Sequence, residues 1–416
     1  MRILKFGGSS VADADRMRRA ARIVATHQSE APVTVVVSAM AGVTDALLRA
    51  AHAVISGSAA WRDELAALER RHRDTYRELA GAVPATLDPA WRALHADALR
   101  LATQGFAPQT IEAEFAAARF SGWGERMAAP LFATALEATG ISTQPFPAEA
   151  VLLETQAAPH STPRPSVLAT RGWLVPQLAR LVMRGGVPVL PGYIARDASG
   201  QTTTLGRNGS DHTTAVVAAA LGAESVYIYS DVAGFFTADP HVVPEAALIP
   251  AITYAEAAEV AWLGARILHP RTLAPLAHWG IPLYLRSAVE PDAPGTDVVP
   301  AHASALDAAW VVAARPAASP DLVEVSATLL GDELRTLENG EPLLAAVIPA
   351  HTLTPLATDA QRMLDVTPRQ LRILVTPADA AATQRLIHNE LVRLASRAAR
   401  NELTPGSAAA VEMGVV

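Results

Sequence analysis

Arg2-Ile3-Leu4-Lys5-Phe6 alternates as a short strand, Gly7-Gly8-Ser9-Ser10 turns with little side-chain bulk, and Ala14 to His27 repeats Met17, Ala21 and Val24 at helical spacing. Val33 to Ser38 (VTVVVS) follows as an apolar, β-branched run of the kind buried in parallel sheets. Strand, helix and buried strand follow in that order, and strands go on alternating with helices along the chain, as in a sheet covered by helices on both faces. Asp45 to about Arg119 is rich in Ala, Leu, Arg and Glu and reads as a helical excursion, with Glu64, Glu69 and Arg70-Arg71 on solvated faces. Gly122-Trp123-Gly124-Glu125-Arg126 opens another helix running to about Gly140, Val187 to Ile194 is a strand entering a loop, and Val226 to Tyr229 is a further strand. The pattern predicts a doubly wound, mainly parallel α/β sheet whose ligands sit beyond the carboxyl ends of its strands.

A glycine turn between strand and helix exposes backbone N–H groups at a helix start, which favours an anion. The turn is neither GxxxxGK[ST] nor GxGxxG, so the common phosphate and dinucleotide fingerprints are absent. Composition singles out the residue beside it. Of 34 basic residues only Lys5 is lysine, in a chain that otherwise writes arginine throughout. A compact ammonium fits against phosphate oxygens where a planar fork does not, so a position that resists the bias points to chemistry.

Thr202 to Thr214 (TTTLGRNGSDHTT) packs an arginine, glycines, hydroxyls and an aspartate into what reads as one loop before an apolar helix from Ala215 to Leu221. Arg207 suits a carboxylate through two parallel hydrogen bonds, Ser210 can donate at a helix start, and Asp211 can hold a lysine or a magnesium ion.

These residues carry a resemblance. KFGGSSVAD from Lys5 to Asp13, SAMAGVTDALL from Ser38 to Leu48, GER from Gly124 to Arg126, TTTLGRNGSD from Thr202 to Asp211, SDVAGFFTADP from Ser230 to Pro240 and GARILHPRT from Gly264 to Thr272 resemble the aspartate kinase family, in that family's order. The likeness runs from residue 1 to about 297, and the Asn208 form of the loop is most similar to the kinase portions of bifunctional aspartate kinases. It implies an amino-acid kinase fold, ATP and L-aspartate as substrates, and Mg²⁺ with the nucleotide.

Carried over by position, the resemblance implies that Lys5 contacts the transferred phosphates, with Gly7, Gly8 and Ser9 as the turn around them. Thr44, Glu125 and Arg207 match the aspartate site, Glu125 for the ammonium and Arg207 for the α-carboxylate. Gly209, Ser210 and Asp211 match the segment bridging both ligands, and Asp211 is cast as the organiser of Lys5. Ser230, Asp231, Phe236, Asp239, His241 and Arg266 match the nucleotide side. A carboxylate acceptor is already ionised and needs no general base.

Three positions depart from the family pattern, which has Tyr at Phe236, Arg at His241 and Lys at Arg266. They bear on nucleotide affinity, and the Phe236 and His241 changes keep open a nucleotide-binding regulatory pseudokinase. An amino-acid kinase with another carboxylate acceptor also stays open, because exchanged side chains around Thr44 and Glu125 would alter acceptor choice without touching Lys5.

After about Ala301 the character changes. Leu322 to Leu329 alternates as a strand, Leu343 to Ile348 reads as another, and Leu371 to Thr376 leads into an amphipathic helix from Ala378 to about Ala398. This α+β pattern resembles the ACT regulatory domains of the family in shortened form, and divides the chain into a kinase domain (1–297) and an ACT-like domain (298–416). It implies a homodimer through that domain with little response to lysine or threonine, since no clear glycine-bearing loop for a free amino acid is found there.

Net charge of −7 and 5% aromatic residues argue against nucleic acid as a partner. No apolar run reaches the roughly 18 residues of a membrane span, and MRILKFGG has no signal-peptide core. Without cysteine no disulfide or thiolate chemistry is available, and the chain reads as cytoplasmic.

Overall fold

The computed structural model describes residues 1–146, 149–262, 268, 270–300, 310–316, 323–329, 362–366 and 370–399. They divide into two compact units, Met1–Ala233 with Arg271–Pro300, and Gly234–Pro270 with Ala301–Val416. Gly234–Pro270 thus groups with the carboxyl-terminal part, whereas the sequence boundary at 297/298 leaves it with the amino-terminal part.

In the first unit the order is β1 Arg2–Phe6, a 3₁₀ turn Gly8–Val11, α1 Ala14–Gln28, β2 Val33–Val37, α2 Val43–Ile55, α3 Trp61–Ala80, α4 Leu87–Thr103, α5 Ile111–Ser121 and α6 Trp123–Glu137. There follow β3 Thr143–Pro145, β4 Val151–Leu152, α7 Val167–Met183, β5 Val187–Pro191, β6 Ile194–Arg196, β7 Thr202–Thr204, α8 Gly209–Leu221 and β8 Ser225–Ser230. The second unit supplies β9 Ala251–Thr253 and α9 Tyr254–Trp262, after which α10 Pro270–Trp279, β10 Leu283–Ser287 and β11 Thr296–Val299 complete the first.

The strands of the first unit lie in the order β3-β5-β2-β1-β8-β10-β11, parallel except for β11, and a small sheet β4-β6-β7 accompanies them. Every residue of β2 is buried, as its β-branched run requires of a strand covered on both faces. Leu4 and Phe6 join a core with Met17 of α1, Val35 and Val37 of β2 and Phe132 of α6. α8 packs against β1, β2 and β8, and its residues Gly209 to Ala220 are all buried. Ala218, Ala219 and Ala220 let it lie close to its neighbours; a leucine at Ala219 would overpack the contact by about 1 to 3 kcal/mol.

The helical excursion is four helices, α2 to α5. The loop expected from Thr202 to Thr214 is different. Its first residues are β7, Asn208 turns the chain at φ 55°, and α8 already begins at Gly209. Periodicity misses this start because the first turns are polar. Thr213 and Thr214 donate their hydroxyls to the carbonyls of Gly209 and Ser210, at 3.0 and 2.8 Å, and so sit inside the helix without an unpaired group.

In the second unit β12 Trp310–Pro316, β13 Val323–Leu329, β14 Arg362–Val366 and β15 Gln370–Val375 form an antiparallel sheet in the order β12-β13-β15-β14. α11 Ala380–Ala399 adds Ile387 and Leu391 to its core. The strand expected at Leu343 to Ile348 lies outside the described residues. Among the described residues no helix is long and apolar enough to cross a membrane.

Candidate active site

Strand parity aims Lys5. Leu4 and Phe6 enter the core shared with α1 and α6, so Lys5 points the opposite way, where Asp211 stands in the first turn of α8. Asp211 Oδ1 lies 2.5 Å from Lys5 Nζ, with both side chains 10% exposed. Burying either ion alone would cost several kcal/mol, on the order of what removing one partner from a buried pair costs.

The glycine turn lies directly beside this pair. A Cβ at Gly7 would come within 3.5 Å of Lys5 Nζ, and one at Gly8 within 2.9 Å of the Ala39 carbonyl oxygen. Any larger residue at Gly8 would push the β1 loop off the β2 loop. Gly7 N–H donates to the Tyr229 carbonyl at 3.1 Å, and Ala41 N–H donates to that of Gly8 at 3.1 Å. The first amides of the 3₁₀ turn have no partner within the turn and are available to an anion.

Arg71 of α3 donates to the carbonyls of Ala12 and Ala41, both at 2.8 Å, and so ties the loop after β1 to the loop after β2. It does not lie on a solvated face as its sequence context suggested. Charge patterning sees only a run of arginines.

Glu125, in the first turn of α6, is 4% exposed. Burial pushes its carboxyl up to about 8, against the opposing pull of the Ala39 amide, its own amide and the charge of Lys5. Its Oε2 is buried with no hydrogen-bond partner. Gly124 makes this position reachable, since a Cβ there would meet the Ala39 Cβ at 2.7 Å. A buried, half-satisfied carboxyl is costly and marks a site that expects a cation or a donor.

Gly192 and Tyr193 complete the surroundings, and no sequence motif singled them out. A Cβ on Gly192 would strike Ser210 Oγ at 2.6 Å, and one on Gly209 would strike the Tyr193 ring at 2.7 Å. Tyr193 itself has φ 63°, a conformation that costs a non-glycine residue about 1 kcal/mol or more and is concentrated at functional sites. The Pro191-Gly192 pair at a strand end was the available signal.

Arg207 is exposed on the turn before α8 and makes no ion pair among the described residues, and Thr44 is half-buried in the first turn of α2. Ser9, Ser230 and Asp231 share a cavity of about 320 Å³ with Ser10, Arg16 and Arg19. Ser230 is held by its own loop, its hydroxyl donating to the Val232 carbonyl at 2.8 Å. A larger cavity of about 540 Å³, lined among others by Arg119, Trp123 and Arg126, contains none of the expected site residues.

Phe236, Asp239 and His241 belong to the second unit. There Phe236 bridges to Leu248, and Asp239 caps its turn by accepting from the His241 amide at 2.9 Å. Arg266 lies outside the described residues.

A buried lysine–aspartate pair lies over a glycine turn, with an unsatisfied carboxyl beside it, at the carboxyl edge of a mainly parallel α/β sheet. Residues 1–287 match the amino acid kinase family, and the chain belongs to that family. Lysine-sensitive aspartokinase 3 of Escherichia coli (strain K12) is 36% identical over 304 residues, 71% of this chain and 63% of that protein. Aspartokinase 1, chloroplastic, of Arabidopsis thaliana is 31% identical over 299 residues, 71% of this chain and 51% of that protein. The chain therefore spans between 51% and 63% of these relatives' lengths. The structure of E. coli aspartokinase III in complex with aspartate and ADP (R-state) superimposes with a TM-score of 0.77 at 25% identity, over 94% of this chain and 100% of that one.

Proposed function

We propose that this chain is an aspartate kinase, transferring the γ-phosphoryl group of ATP to the β-carboxylate of L-aspartate. The observation that carries the reading is the buried, unpartnered Oε2 of Glu125 beside the Lys5–Asp211 pair, a place for a ligand's ammonium next to a place for phosphate. The aspartokinase relatives, and the aspartate and ADP bound to the E. coli enzyme, support it.

On this reading Glu125 receives the substrate ammonium, Arg207 the α-carboxylate, and Thr44 and Ser210 line the acceptor. Gly7, Gly8 and Ser9 surround the phosphates, with Gly209 beside them, and Ser230, Asp231, Phe236, Asp239, His241 and Arg266 serve the nucleotide. A β-carboxylate oxygen forms the new bond to the γ-phosphorus as the bond to the bridging oxygen breaks, and ADP leaves with that electron pair. The nucleophile is ionised at neutral pH, so the protein supplies alignment and charge, not a base. Lys5 neutralises charge on the moving group, and Asp211 keeps its ammonium in place.

Among the described residues no three His, Asp or Glu side chains gather to hold a metal. Mg²⁺ would be carried by nucleotide oxygens and water, with Asp231 the carboxylate its cavity offers, and would add charge neutralisation there. A homodimer through the carboxyl-terminal unit, with α11 and β15 contributing to the interface, belongs to the same proposal.

The test is hydroxylamine trapping of the acyl phosphate, with L-aspartate, L-glutamate and N-acetyl-L-glutamate as separate acceptors. Hydroxamate from aspartate alone is expected. Product mainly from another acid would reassign the acceptor, and none from any acid, with ATP still bound, would make the chain a pseudokinase.

A further inference from the structure

We propose that Glu149, which no motif singles out, is a positioning residue that fixes the spacing between the two groups gripping the acceptor; this rests on the reading of Glu125 and Arg207 given above. Glu149 precedes β4 and is 2% exposed. Its Oε1 accepts from Arg126 Nη2 and, at 2.5 Å, from the Thr202 hydroxyl, while Oε2 accepts from Arg196 Nη2 at 3.2 Å. Arg126 Nη2 also donates to Thr202 Oγ1 at 2.6 Å, closing a three-membered network. The backbone carbonyl of Glu149 takes the indole N–H of Trp173 at 3.0 Å, and the guanidinium of Arg196 lies 5.0 Å from the same ring.

Glu149 therefore joins α6, β6 and β7 through its carboxylate and α7 through its backbone carbonyl. One of these, α6, carries Glu125, and another, β7, leads to Arg207. Arg126 is the neighbour of Glu125 in the first turn of α6, and Thr202 opens the strand that leads to Arg207. Burial pushes the Glu149 carboxyl up, but the Thr202 hydroxyl and the Arg126 guanidinium outweigh it and hold the group below the ordinary range, ionised at neutral pH.

The α-ammonium and α-carboxylate of an amino acid are a fixed distance apart, so their two holders must be too. A shift near 1 Å between α6 and β7 would weaken binding strongly, because the hydrogen bonds of an ion pair fall off over such distances. Neither Glu149 nor its partners needs to touch the ligand for this.

The experiment compares Glu149→Gln and Thr202→Val with Glu125→Gln and Arg207→Lys in the full chain, reading KM for aspartate, KM for ATP and Tm. Glu149→Gln keeps the shape but removes the charge that draws the two arginines together. It is expected to raise KM for aspartate about tenfold with KM for ATP within about twofold, a difference of about 1.4 kcal/mol. Thr202→Val, which removes one hydroxyl and leaves the ion pairs, should show the same selectivity at about threefold with an almost unchanged Tm, and stands in if the first variant does not fold. Proportional rises in both KM values, or a lower Tm with both unchanged, would reduce Glu149 to a structural ion pair and overturn the inference. If Glu125→Gln and Arg207→Lys are selective for aspartate and the Glu149 and Thr202 variants are not, only this inference is lost. If the first two are themselves unselective, the acceptor reading is what has failed.

Discussion

The hydroxyl of Thr237 lies 2.9 Å from Nε2 of His388, joining the SDVAGFFTADP motif to α11. Thr237 Oγ1 also accepts from the Ala247 amide at 2.9 Å, and its backbone carbonyl accepts from the Val312 amide of β12 at 2.8 Å. Ala238 and Val243 share an apolar cluster with Val325, Ile373, Ile387 and Leu391. The later half of the proposed nucleotide loop thus takes its shape from the carboxyl-terminal unit.

That arrangement predicts an effect on ATP from a residue remote in sequence. His388→Ala removes a buried hydrogen bond worth about 1 kcal/mol, and KM for ATP should rise roughly fivefold while KM for aspartate stays near its starting value. Initial rates against each substrate check it; an unchanged KM for ATP would show that the loop does not depend on this anchor.

Lys5→Arg keeps the charge but substitutes a broad fork beside Gly7, where a Cβ would already be 3.5 Å from the ammonium. The expected result is a kcat lowered by about two orders of magnitude or more with ATP still bound, because only the transition-state contact is misplaced. Asp211→Asn should lower kcat by a smaller factor, on the order of tenfold, by releasing Lys5 from its partner. Single-turnover assays with nucleotide binding measured separately decide this, and full activity in the arginine variant would remove Lys5 from the mechanism.

Arg207 is exposed and free of ion pairs among the described residues, so replacing it disturbs little of the fold. Arg207→Lys retains a cation without the two-pronged geometry, and KM for aspartate should rise about tenfold with Tm unchanged. A matching rise for ATP would place Arg207 elsewhere.

Glu125 gives a pH prediction with a defined sign. Its carboxyl sits at about 8 when folded, against 4.5 for a free glutamate side chain. Between these limits the folded state holds the extra proton, so this group's contribution to stability falls as pH rises from 4.5 to 8. Glu125→Gln should therefore raise the Tm of the ligand-free protein at pH values above about 8, where wild type must hold a buried charge, while weakening aspartate binding. Pairing with a substrate ammonium should also expel the proton, so calorimetry near pH 7 in buffers of different ionisation enthalpy should show net proton release on aspartate binding. Binding heats that do not change with buffer would count against the assignment.

Much of the first unit was legible because its strands are short alternating or β-branched apolar runs and its loops are made of small residues, signals that lie within a few neighbouring positions. β1, β2 and β8 could be read this way, as could the glycine turn, and Lys5 stood out through composition alone. The polar start of α8 was not legible, since Thr213 and Thr214 satisfy themselves inside the helix in a way no hydrophobic period records. The role of Arg71 was also hidden, because its acceptors are backbone carbonyls of Ala12 and Ala41 in other segments. By itself the chain's sequence determined which residues are chemically equipped for an anionic acceptor and a phosphate. The tertiary structure decided which of them meet: strand parity turns Lys5 toward α8, sheet order sets Asp211 against it, and the closeness of Gly124 to Ala39 buries Glu125 with one oxygen unmet. These are contacts between segments distant along the chain, and a local pattern carries no information about the distance between them until the crossovers have closed.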